Sequence, residues 1–391
     1  MLQGQEITVL GAGIAGLAVA CALARRGAVV RVLEQADAIR EVGAGLQITP
    51  NGAVVLRALG LGAELADAAP RARAVTLRDF RRGDPVFRLD LSRADRPYHL
   101  MHRADLIGLL RRGALDAGVS IELGQQITTV TPTDTGATLH HAGGHSETVP
   151  ILIGADGLHS PTRAALNGTA QPFFTGQVAW RCTIAMDDPA IPAEATVYMG
   201  PGRHLVTYPL RGGALMNVVA VEERDGWAAE GWNHRDDAQA PYRAFADFCP
   251  EVRDLLFRAE EVYLWGLFRH PVARHWWQGR TAILGDAAHP TLPFLAQGAN
   301  MALEDAWVLA AALDGADTPE DGFASYQAKR RARAARVIDA ATKNAENYHL
   351  RPGPYRALAH LALKLGTRLA PDMAARQFEW LYGHDVTQDH A

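Results

Sequence analysis

Cysteine is scarce in this sequence, and its scarcity excludes several kinds of site. Only three cysteines occur among 391 residues, and Cys21, Cys182 and Cys249 lie far apart without a CxxC pair or a histidine at metal-ligand spacing. A disulfide framework and a zinc site are therefore not indicated, and no metal is expected. The same cysteine usage fits a reducing compartment, which predicts a cytoplasmic location.

Long apolar runs, strong charge bias and repeats are missing as well. No apolar run approaches the ~18 residues that span a bilayer, and no basic segment precedes the first strand, so we expect neither a membrane span nor a signal peptide. A net charge of −4 gives no general attraction to nucleic acid or to anionic membranes. The basic run at residues 329–336 lies in an alanine-rich, helix-forming stretch, so we expect it to be a solvated helix face.

A nucleotide-binding pattern is the first motif that is present. The hydrophobic strand at residues 7–10 runs into GAGIAG at residues 11–16, and a helix of small residues is predicted from Leu17 to Arg26. Backbone N–H groups and the positive end of that helix can bind a pyrophosphate. A second strand, Val29 to Leu33, ends at Glu34, where a carboxylate can hydrogen-bond both ribose hydroxyls and would repel a 2′-phosphate. The pattern therefore predicts FAD or NAD rather than NADP at this site.

Two later segments, at residues 152–163 and 281–305, favour FAD. In the second of them a strand predicted from Thr281 to Leu284 ends at Gly285 and Asp286, and a helix is predicted to begin near residues 298–300. An acid at a strand end suits a polyol, and a helix N-terminus suits an anion. FAD has a ribityl chain and a ring that becomes anionic on reduction, whereas NAD has neither. We expect a non-covalent FAD, because no histidine or cysteine occupies an obvious linking position.

The spacing of these segments indicates a discontinuous cofactor domain. We predict an α/β fold, α+β overall, with a Rossmann-like FAD-binding domain at 1–171 and 271–345, an antiparallel β-sheet substrate domain at 172–270 and a helical C-terminal segment at 346–391. The sheet is predicted from short alternating runs between turns, at Ala179 to Ile184, Ala195 to Met199, His204 to Tyr208 and Leu215 to Val221. A sheet that faces the cofactor domain leaves an interdomain cleft, where small-molecule sites tend to form.

On these motifs the sequence resembles the single-component FAD-dependent aromatic hydroxylases, the group A flavoprotein monooxygenases. GAGIAG at 11–16, GADGLHSPTR at 154–163 and GDAAHPTLPFLAQGANMALEDA at 285–306 look like the three fingerprints of that family, in order over roughly residues 1–345. AWRC at 179–182, HLVTYPLR at 204–211 and FEWLYGHD at 378–385 are similar to the salicylate, 3-hydroxybenzoate and 6-hydroxynicotinate hydroxylases.

The resemblance implies a role for individual residues along the cofactor. The pyrophosphate would be held by Gly11, Gly13, Ala15 and Gly16, and the adenosine ribose by Glu34. Further along, the implied contacts are Arg103 beside the cofactor, Asp156 and Gly157 for FAD and transient nicotinamide docking, Asp286 for the ribityl chain, and Gly298, Ala299 and Asn300 for the flavin ring. Members of the family have no second Rossmann fold for NAD(P)H, and the sequence offers none.

His204 and Tyr208 are the predicted catalytic pair. They lie four positions apart in HLVTY, which is predicted to be a strand. Side chains alternate between the two faces of a strand, so both would project with Val206 from one face. A histidine of pKa about 6.5 can take a phenolic proton, directly or through Tyr208, and so make the ring a stronger nucleophile. The alternative is that His204 is a surface residue after the turn at 201–203 and that Tyr208 belongs to the core.

The loop before the helix predicted near residues 298–300 holds further candidates. Gln297 could hydrogen-bond a substrate carboxylate or hydroxyl, or could instead cap the helix. The carbonyl of Pro293 could accept a hydrogen bond from a flavin peroxide, or Pro293 could be a simple turn residue. His289 is expected to shape the loop rather than to act in catalysis. A flavin contact of Gln47 stays open.

We therefore predict a monooxygenase that uses NAD(P)H, with NADH favoured, and O2 to hydroxylate a small hydroxylated aromatic acid through a C4a-hydroperoxyflavin. Besides these small molecules, no nucleic acid or membrane partner is expected, and the protein is expected to be a monomer or a homodimer. Two alternatives remain at this stage. One is a monooxygenase of the same fold that acts on a heterocycle such as urate or on a larger natural product, and the other is a non-enzymatic redox sensor that binds FAD or NAD.

Overall fold

Two large sheets organise the fold in a computed structural model, which describes residues 2–39, 44–92, 95–186, 188, 190–226, 234–369 and 376–388. The described strands are β1 Glu6–Leu10, β2 Val29–Leu33, β3 Gly45–Ile48, β4 Ala74–Asp79, β5 Pro85–Asp90, β6 His99–His102, β7 Ser120–Glu122, β8 Ile127–Thr133, β9 Gly136–His141, β10 Ser146–Val149, β11 Leu152–Gly154, β12 Phe173–Ala185, β13 Glu194–Gly200, β14 Arg203–Leu210, β15 Leu215–Glu223, β16 Arg235–Asp236, β17 Val262–Arg269, β18 Trp277–Gln278 and β19 Thr281–Ile283.

Helices cover the sheets and form the C-terminal part. The described α-helices are α1 Ile14–Ala24, α2 Pro50–Ala58, α3 Gly62–Ala68, α4 Arg103–Asp116, α5 Pro161–Asn167, α6 Ala240–Ala244, α7 Pro250–Phe257, α8 Gly298–Asp314, α9 Pro319–Tyr348, α10 Pro354–Leu369 and α11 Glu379–Tyr382. Short 3-10 turns occur at Arg211–Gly213, Gly285–Ala287 and Pro293–Leu295. Residues 370–375 and 389–391 of the predicted helical C-terminal segment lie outside the described residues.

The first sheet brings the three cofactor segments together. Its strand order is β18-β19-β11-β1-β2-β7, and β1 pairs in parallel with both β2 and β11, while β11 pairs in parallel with β19. Parallel strands end at the same edge, so the loops after β1, β11 and β19 meet there. The predicted Rossmann-like arrangement is confirmed, and β2 has the predicted bounds.

Glycine is required where the loops after β1 and β11 approach each other. Gly11 has φ +97°, and a Cβ added there would lie 2.5 Å from the carbonyl oxygen of Ala155. A Cβ on Gly16 would lie 1.8 Å from the carbonyl oxygen of Gly11. Helix α1 begins at Ile14, three residues earlier than predicted, because Gly13 is its N-cap residue. The helix therefore starts directly at the tight turn, as a pyrophosphate site requires.

The second sheet has eight described strands, in the order β16-β17-β12-β15-β14-β13-β4-β5. The four predicted runs lie in β12, β13, β14 and β15, and their predicted antiparallel pairing is confirmed. The predicted domain boundary needs a correction, because residues 74–90 belong to this sheet and not to the cofactor domain. β4 pairs in parallel with β13, with Ala74 opposite Glu194, and β5 pairs with β4. The second sheet is therefore built from separate parts of the chain, as the first sheet is.

Helices α8 and α9 are joined by a buried ion network, and this corrects the prediction for the basic run. Arg330 is buried, and its guanidinium lies 2.5 Å from Glu304 and 2.7 Å from Asp305, both fully buried on α8. Arg333 lies 2.8 Å from Glu304. Burial alone would raise the pKa of the Glu304 carboxyl, but the Arg330 and Arg333 guanidiniums bring it below its usual value. Two of the basic side chains therefore face α8 rather than solvent, because its buried acids need cationic partners.

The sequence analysis also made predictions about disulfides, membrane spans and metal sites. All three cysteines are free and buried. Among the described residues no helix combines the length and apolarity needed to cross a lipid bilayer. In the same part of the chain no cluster of three or more His, Cys, Asp or Glu residues has the arrangement of a metal site.

Candidate functional site

A cavity of about 790 Å³ lies where the loops of the parallel sheet meet. Gly11, Gly13, Glu34 and Gly157 are among its lining residues. A Cβ added to Gly13 or to Gly157 would meet no atom within 4 Å, so both backbones border open space. A pyrophosphate can approach the backbone closely at these two positions. The cavity therefore fits the adenosine and pyrophosphate half of FAD.

Glu34 combines a structural contact with a free acceptor capacity. Its carboxylate accepts hydrogen bonds from the backbone N–H of Ala12 at 2.7 Å and of Ala36 at 2.9 Å. Each carboxylate oxygen has two lone pairs, so each can accept a second hydrogen bond from a ribose hydroxyl. Glu34 can therefore tie the glycine turn to the end of β2 and bind the ribose at the same time.

Asp156 is occupied by its own loop. Its carboxylate accepts hydrogen bonds from the hydroxyls of Ser160 at 2.5 Å and Thr162 at 2.7 Å, and from the Thr162 N–H at 3.1 Å. Burial raises the pKa of the Asp156 carboxyl, and these hydrogen bonds oppose the rise. Asp156 and its neighbour Gly157 both line the cavity, so the implied contact of Asp156 with the cofactor stays a prediction beside its role in shaping the loop.

A second cavity of about 390 Å³ adjoins the first at Gly13, Ala155 and Gly157. On the cofactor-domain side it is lined by Ala15, Arg103, Asp286, Gly298 and Ala299. These residues are contributed by the first turns of α1, α4 and α8 and by the loop after β19.

Asp286 has the properties of a polyol ligand. Its side chain has accessible surface because it faces the second cavity, but protein surrounds that cavity, and burial raises the pKa of its carboxyl. Within the described part of the chain the carboxylate accepts no hydrogen bond. The first N–H groups of α8 are likewise without intrahelical acceptors. The Asp286 carboxylate, which can accept from hydroxyls, and the N-terminus of α8, which can stabilise an anionic ring, therefore border one cavity. These are the two groups that the flavin half of FAD needs.

His204 and Tyr208 face this second cavity from strand β14. Val206 lines the cavity with them, as the alternation of side chains along a strand predicts, and both His204 and Tyr208 are buried. The alternative of a surface-loop His204 is wrong. Burial, with His349 as a neighbour, lowers the pKa of His204 well below its ordinary value, so the imidazole is neutral at pH 7. Burial raises the pKa of Tyr208, which keeps its hydroxyl protonated and able to donate.

Gln297 and Asn300 are buried in a polar network rather than in the cavity. Gln297 donates to the Thr49 hydroxyl at 3.1 Å and to the Leu295 carbonyl at 3.2 Å, and it accepts from Asn51 at 3.0 Å. These bonds correct both interpretations of Gln297, because its side chain neither faces the cavity nor caps α8. Asn300 accepts from the Thr49 N–H at 3.0 Å and donates to the carbonyls of residues 47 and 296, so only its backbone N–H is available to a flavin.

The loop before α8 bends sharply into the cavity. Pro293 lines the cavity, and its carbonyl accepts the Ala296 N–H at 3.0 Å, which leaves one lone pair. Ala296 has φ +55°, an unusual value for a residue with a side chain. His289 is buried and lies 2.5 Å from Asp305, which agrees with the predicted role in shaping the loop.

Arg181 is a site residue that sequence reasoning missed. It lines the cavity from β12, and its guanidinium lies 3.8 Å from the centroid of the Trp265 ring. Burial lowers its pKa to about 9, and its Nε has no hydrogen-bond partner among the described residues. The sequence signal was a single charge in the apolar run at 178–184. Its neighbour Trp180 points to the opposite face of the sheet and donates to Asp236 at 2.7 Å.

Two further elements close the cavity. Gln47 on β3 lines it and accepts the Tyr98 hydroxyl at 2.5 Å. Phe378 and Tyr382, in and beside α11, also line it, and Tyr382 contacts the Tyr98 ring edge-on at 6.0 Å. The C-terminal segment therefore completes the wall of the cavity, a role that its sequence alone did not indicate.

Comparison with known proteins places the chain among flavoproteins. It matches a family model described as an FAD binding domain over residues 5–341. It is 36% identical to a 3-amino-4-hydroxybenzoate 2-monooxygenase of Streptomyces platensis, over 97% of this chain and 96% of that protein. It is 34% identical to a 3-hydroxybenzoate 6-hydroxylase of Polaromonas naphthalenivorans, with 97% and 96% covered. The structure of Klebsiella pneumoniae HpxO complexed with FAD and uric acid has a TM-score of 0.82 at 26% identity, covering 94% of this chain and 95% of that one.

Proposed function

Because this chain belongs to the FAD-dependent aromatic hydroxylases, a family of flavoprotein monooxygenases, we propose that its substrate is a small aromatic acid with a ring hydroxyl. The reductant is NAD(P)H, with NADH preferred, and O2 is the second co-substrate. When bound and reduced, FAD supplies the activated oxygen atom. The chain's own residues bind and orient the ring, take its hydroxyl proton and exclude water from the site.

The single observation that carries the proposal is a half-buried cation, Arg181, on the same cavity wall as a buried base, His204. Arg181, Val219 and Val206 lie in register across β12, β15 and β14, and all three line the cavity. His204 is two residues from Val206 on the same strand face. An anion is therefore expected within reach of Arg181 while the ring hydroxyl meets His204.

Arg181 explains why the substrate would be an acid. With a pKa of about 9 its guanidinium is cationic at pH 7, although the residue is half-buried and its Nε has no partner among the described residues. A buried charge without a counter-ion costs several kcal/mol, roughly, and a substrate carboxylate offsets that cost. Arginine also offers a planar pair of N–H donors that matches a carboxylate.

His204 and Tyr208 explain why the ring would carry a hydroxyl. A neutral imidazole can accept a phenolic proton, and the protonated Tyr208 hydroxyl can hydrogen-bond the phenolate that results. An ionised ring oxygen increases the electron density of the ring and so favours attack on an electrophilic oxygen atom. A substrate without an acidic hydroxyl would gain nothing from this pair.

The test pairs each acid with its uncharged analogue. Purified FAD-loaded enzyme is assayed for substrate-stimulated NADH and NADPH oxidation and for product by mass spectrometry, with 3-hydroxybenzoate, salicylate, 6-hydroxynicotinate, 3-amino-4-hydroxybenzoate, their amides and urate. A charged hydrogen bond contributes about 1.5–3 kcal/mol. The KM for the acid that is the substrate should therefore be at least about 10-fold below the KM for its amide.

Arg181→Met should raise KM for the acid by a similar factor and abolish the preference over the amide. Methionine is suitable because it replaces the half-buried charge of Arg181 with an apolar side chain of comparable length. The matched control is Arg88→Met on the same sheet, since Arg88 is paired with Glu194 at 2.6 Å and lies outside the cavity. Equal KM values for acid and amide, or an unchanged preference in Arg181→Met, would contradict the proposal. Product formation from urate alone would favour the heterocycle alternative.

A further inference from the structure

Three side chains form a continuous hydrogen-bonded chain from the cavity toward solvent. His204 Nδ1 lies 2.7 Å from His349 Nε2, and His349 Nδ1 lies 2.7 Å from Glu223 Oε1. The two histidine side chains are almost fully buried, whereas 51% of the Glu223 side chain is exposed. The residues come from β14, from the C-terminal cap of α9 and from the end of β15, so the fold assembles them from three elements.

The carboxylate at the outer end determines the tautomer of both rings. An ionised Glu223 is an acceptor only, so His349 Nδ1 must carry the hydrogen of that bond. A neutral His349 then has a bare Nε2, which accepts from the Nδ1–H of His204. His204 is left with an unprotonated Nε2, and since its Nδ1 is bonded to His349, Nε2 is the nitrogen available to the cavity. The hydrogen bonds through His349 and Glu223 thus orient His204 as a base toward the substrate.

We propose that His349 and Glu223 act through His204 as a proton relay, which carries the hydroxyl proton of the substrate from the cavity to solvent. The proposal rests on the proposed function, because it needs a substrate with an acidic hydroxyl. The O–H bond of the substrate breaks as an N–H bond forms at His204 Nε2. The Nδ1 proton of His204 passes to His349 Nε2, the Nδ1 proton of His349 passes to Glu223, and water at the exposed carboxylate takes it up. One proton enters and one leaves, and no electron is transferred.

The environment of His204 makes a relay necessary. Burial disfavours an imidazolium there and lowers the pKa of His204, so the proton cannot rest on that ring. Burial also lowers the pKa of His349, although Glu223 opposes this. His349 caps the C-terminal end of α9, where the helix dipole favours a transient positive charge. The proton therefore moves down a gradient of increasing solvation.

The neighbouring ionisable groups do not compete with His349 for the proton of His204. Tyr348 and Phe294 contact the His204 ring, each at 5.2 Å between centroids, and burial raises the pKa of Tyr348 to about 12, so it stays neutral. The adjacent charges are already compensated by ion pairs, Glu222 with Arg224 at 2.8 Å and Arg203 with Asp247 at 3.1 Å. Of the described groups that contact His204, the hydrogen-bonded branch through His349 and Glu223 is the one that leads to solvent.

The experiment measures proton release rather than turnover. Oxidised, FAD-loaded enzyme is mixed in a stopped-flow instrument with the acid that the panel identifies, in weakly buffered solution with phenol red and without NADH. The wild type should release about one proton as the substrate binds. Glu223→Gln, and independently His349→Gln, should slow this release about 10²-fold, the lower end of the cost of losing a general base. Substrate affinity and FAD content should stay within about 3-fold, because neither residue lines the cavity.

Two matched variants separate the possible failures. Glu222→Gln removes the neighbouring carboxylate of the same strand and should release protons at the wild-type rate. His204→Ala should abolish fast release, because the base itself is lost. Wild-type release rates in both Glu223→Gln and His349→Gln, with slow release in His204→Ala, would overturn the relay and leave the proposed function standing. Absence of proton release in the wild type with every hydroxylated acid would overturn the proposed function and the relay together.

Discussion

Removing Arg330 should test whether the buried ion network supports the cofactor site. Its guanidinium bonds Glu304 and Asp305, and both carboxylates are fully buried. In Arg330→Met, Glu304 keeps Arg333 and Asn51, whereas among the described residues Asp305 keeps His289 and the Gly285 N–H alone. The variant therefore removes the hydrogen-bond partner of one oxygen, Oδ1, of the buried Asp305 carboxylate.

The expected magnitude follows from that loss. Breaking a buried ion pair by removing one partner costs about 3–5 kcal/mol. With a urea dependence of about 3 kcal/mol per M, the midpoint of unfolding should fall by about 1–1.7 M. Asp305 also holds the Gly285 N–H at 3.1 Å, next to Asp286, so FAD should be retained less well in the same variant.

The assay is urea unfolding followed by tryptophan and flavin fluorescence, with the fitted slope used to convert each midpoint. Arg336→Met is the matched control on the same helix, because Arg336 is exposed and stacks on Trp380 at 4.0 Å. That contact contributes about 0.5–1 kcal/mol at an exposed site. A loss below about 1 kcal/mol in Arg330→Met, or equal losses in both variants, would refute the reasoning.

Two more outcomes are expected. Asp286→Ala should weaken FAD binding by about 10²-fold or more, because two charged hydrogen bonds to the ribityl chain at about 1.5–3 kcal/mol each are lost. FAD titration of the apoprotein measures the affinity, and Asp339→Ala on the exposed side of α9 is the control. Wild-type FAD affinity in Asp286→Ala would contradict the assignment. Stability should also fall with acid, because the native pKa of His204 lies well below about 6.5, so the unfolded chain binds a proton that the native chain refuses. This contribution is complete above about pH 6.5 and is lost as the pH falls, with a slope of up to about 1.4 kcal/mol per pH unit. His204→Asn should reduce the slope in urea unfolding between about pH 7.5 and 5.5, whereas the exposed His275→Asn should not, and an unchanged slope in His204→Asn would count against a buried neutral histidine.

The cofactor half of the site could be predicted because its signals are local. The strand, the glycine turn, the helix and the acid lie within residues 6–34, and each has a short-range physical cause, such as the close approach at Gly11. Alternation in HLVTY likewise placed His204 and Tyr208 on one strand face. The contribution of β4 to the second sheet was missed, because its parallel pairing with β13 joins residues far apart in the chain.

Side-chain direction at a loop was the least predictable feature. Gln297 was expected to reach a substrate, but its amide bonds Asn51 and Thr49, 246 and 248 positions away, and nothing near Gln297 in sequence reveals them. The relay was invisible for the same reason, since His349 lies 145 positions from His204. Arg181, by contrast, was available as a lone charge in an apolar strand, a pattern that calls for a counter-ion.

The parallel pairing of β1 with β11, and of β11 with β19, also has a consequence during synthesis. At ~5–20 residues per second, a ribosome needs roughly 12–50 seconds to proceed from the end of β2 to the end of β19. Over that interval the nascent chain carries apolar strands whose edges have no native neighbour, and such edges invite pairing with other chains. FAD cannot help during this wait, because Asp286 emerges only after β19. Yield in cells should therefore depend on chaperones that shield the first 280 residues or so, more than on the supply of flavin.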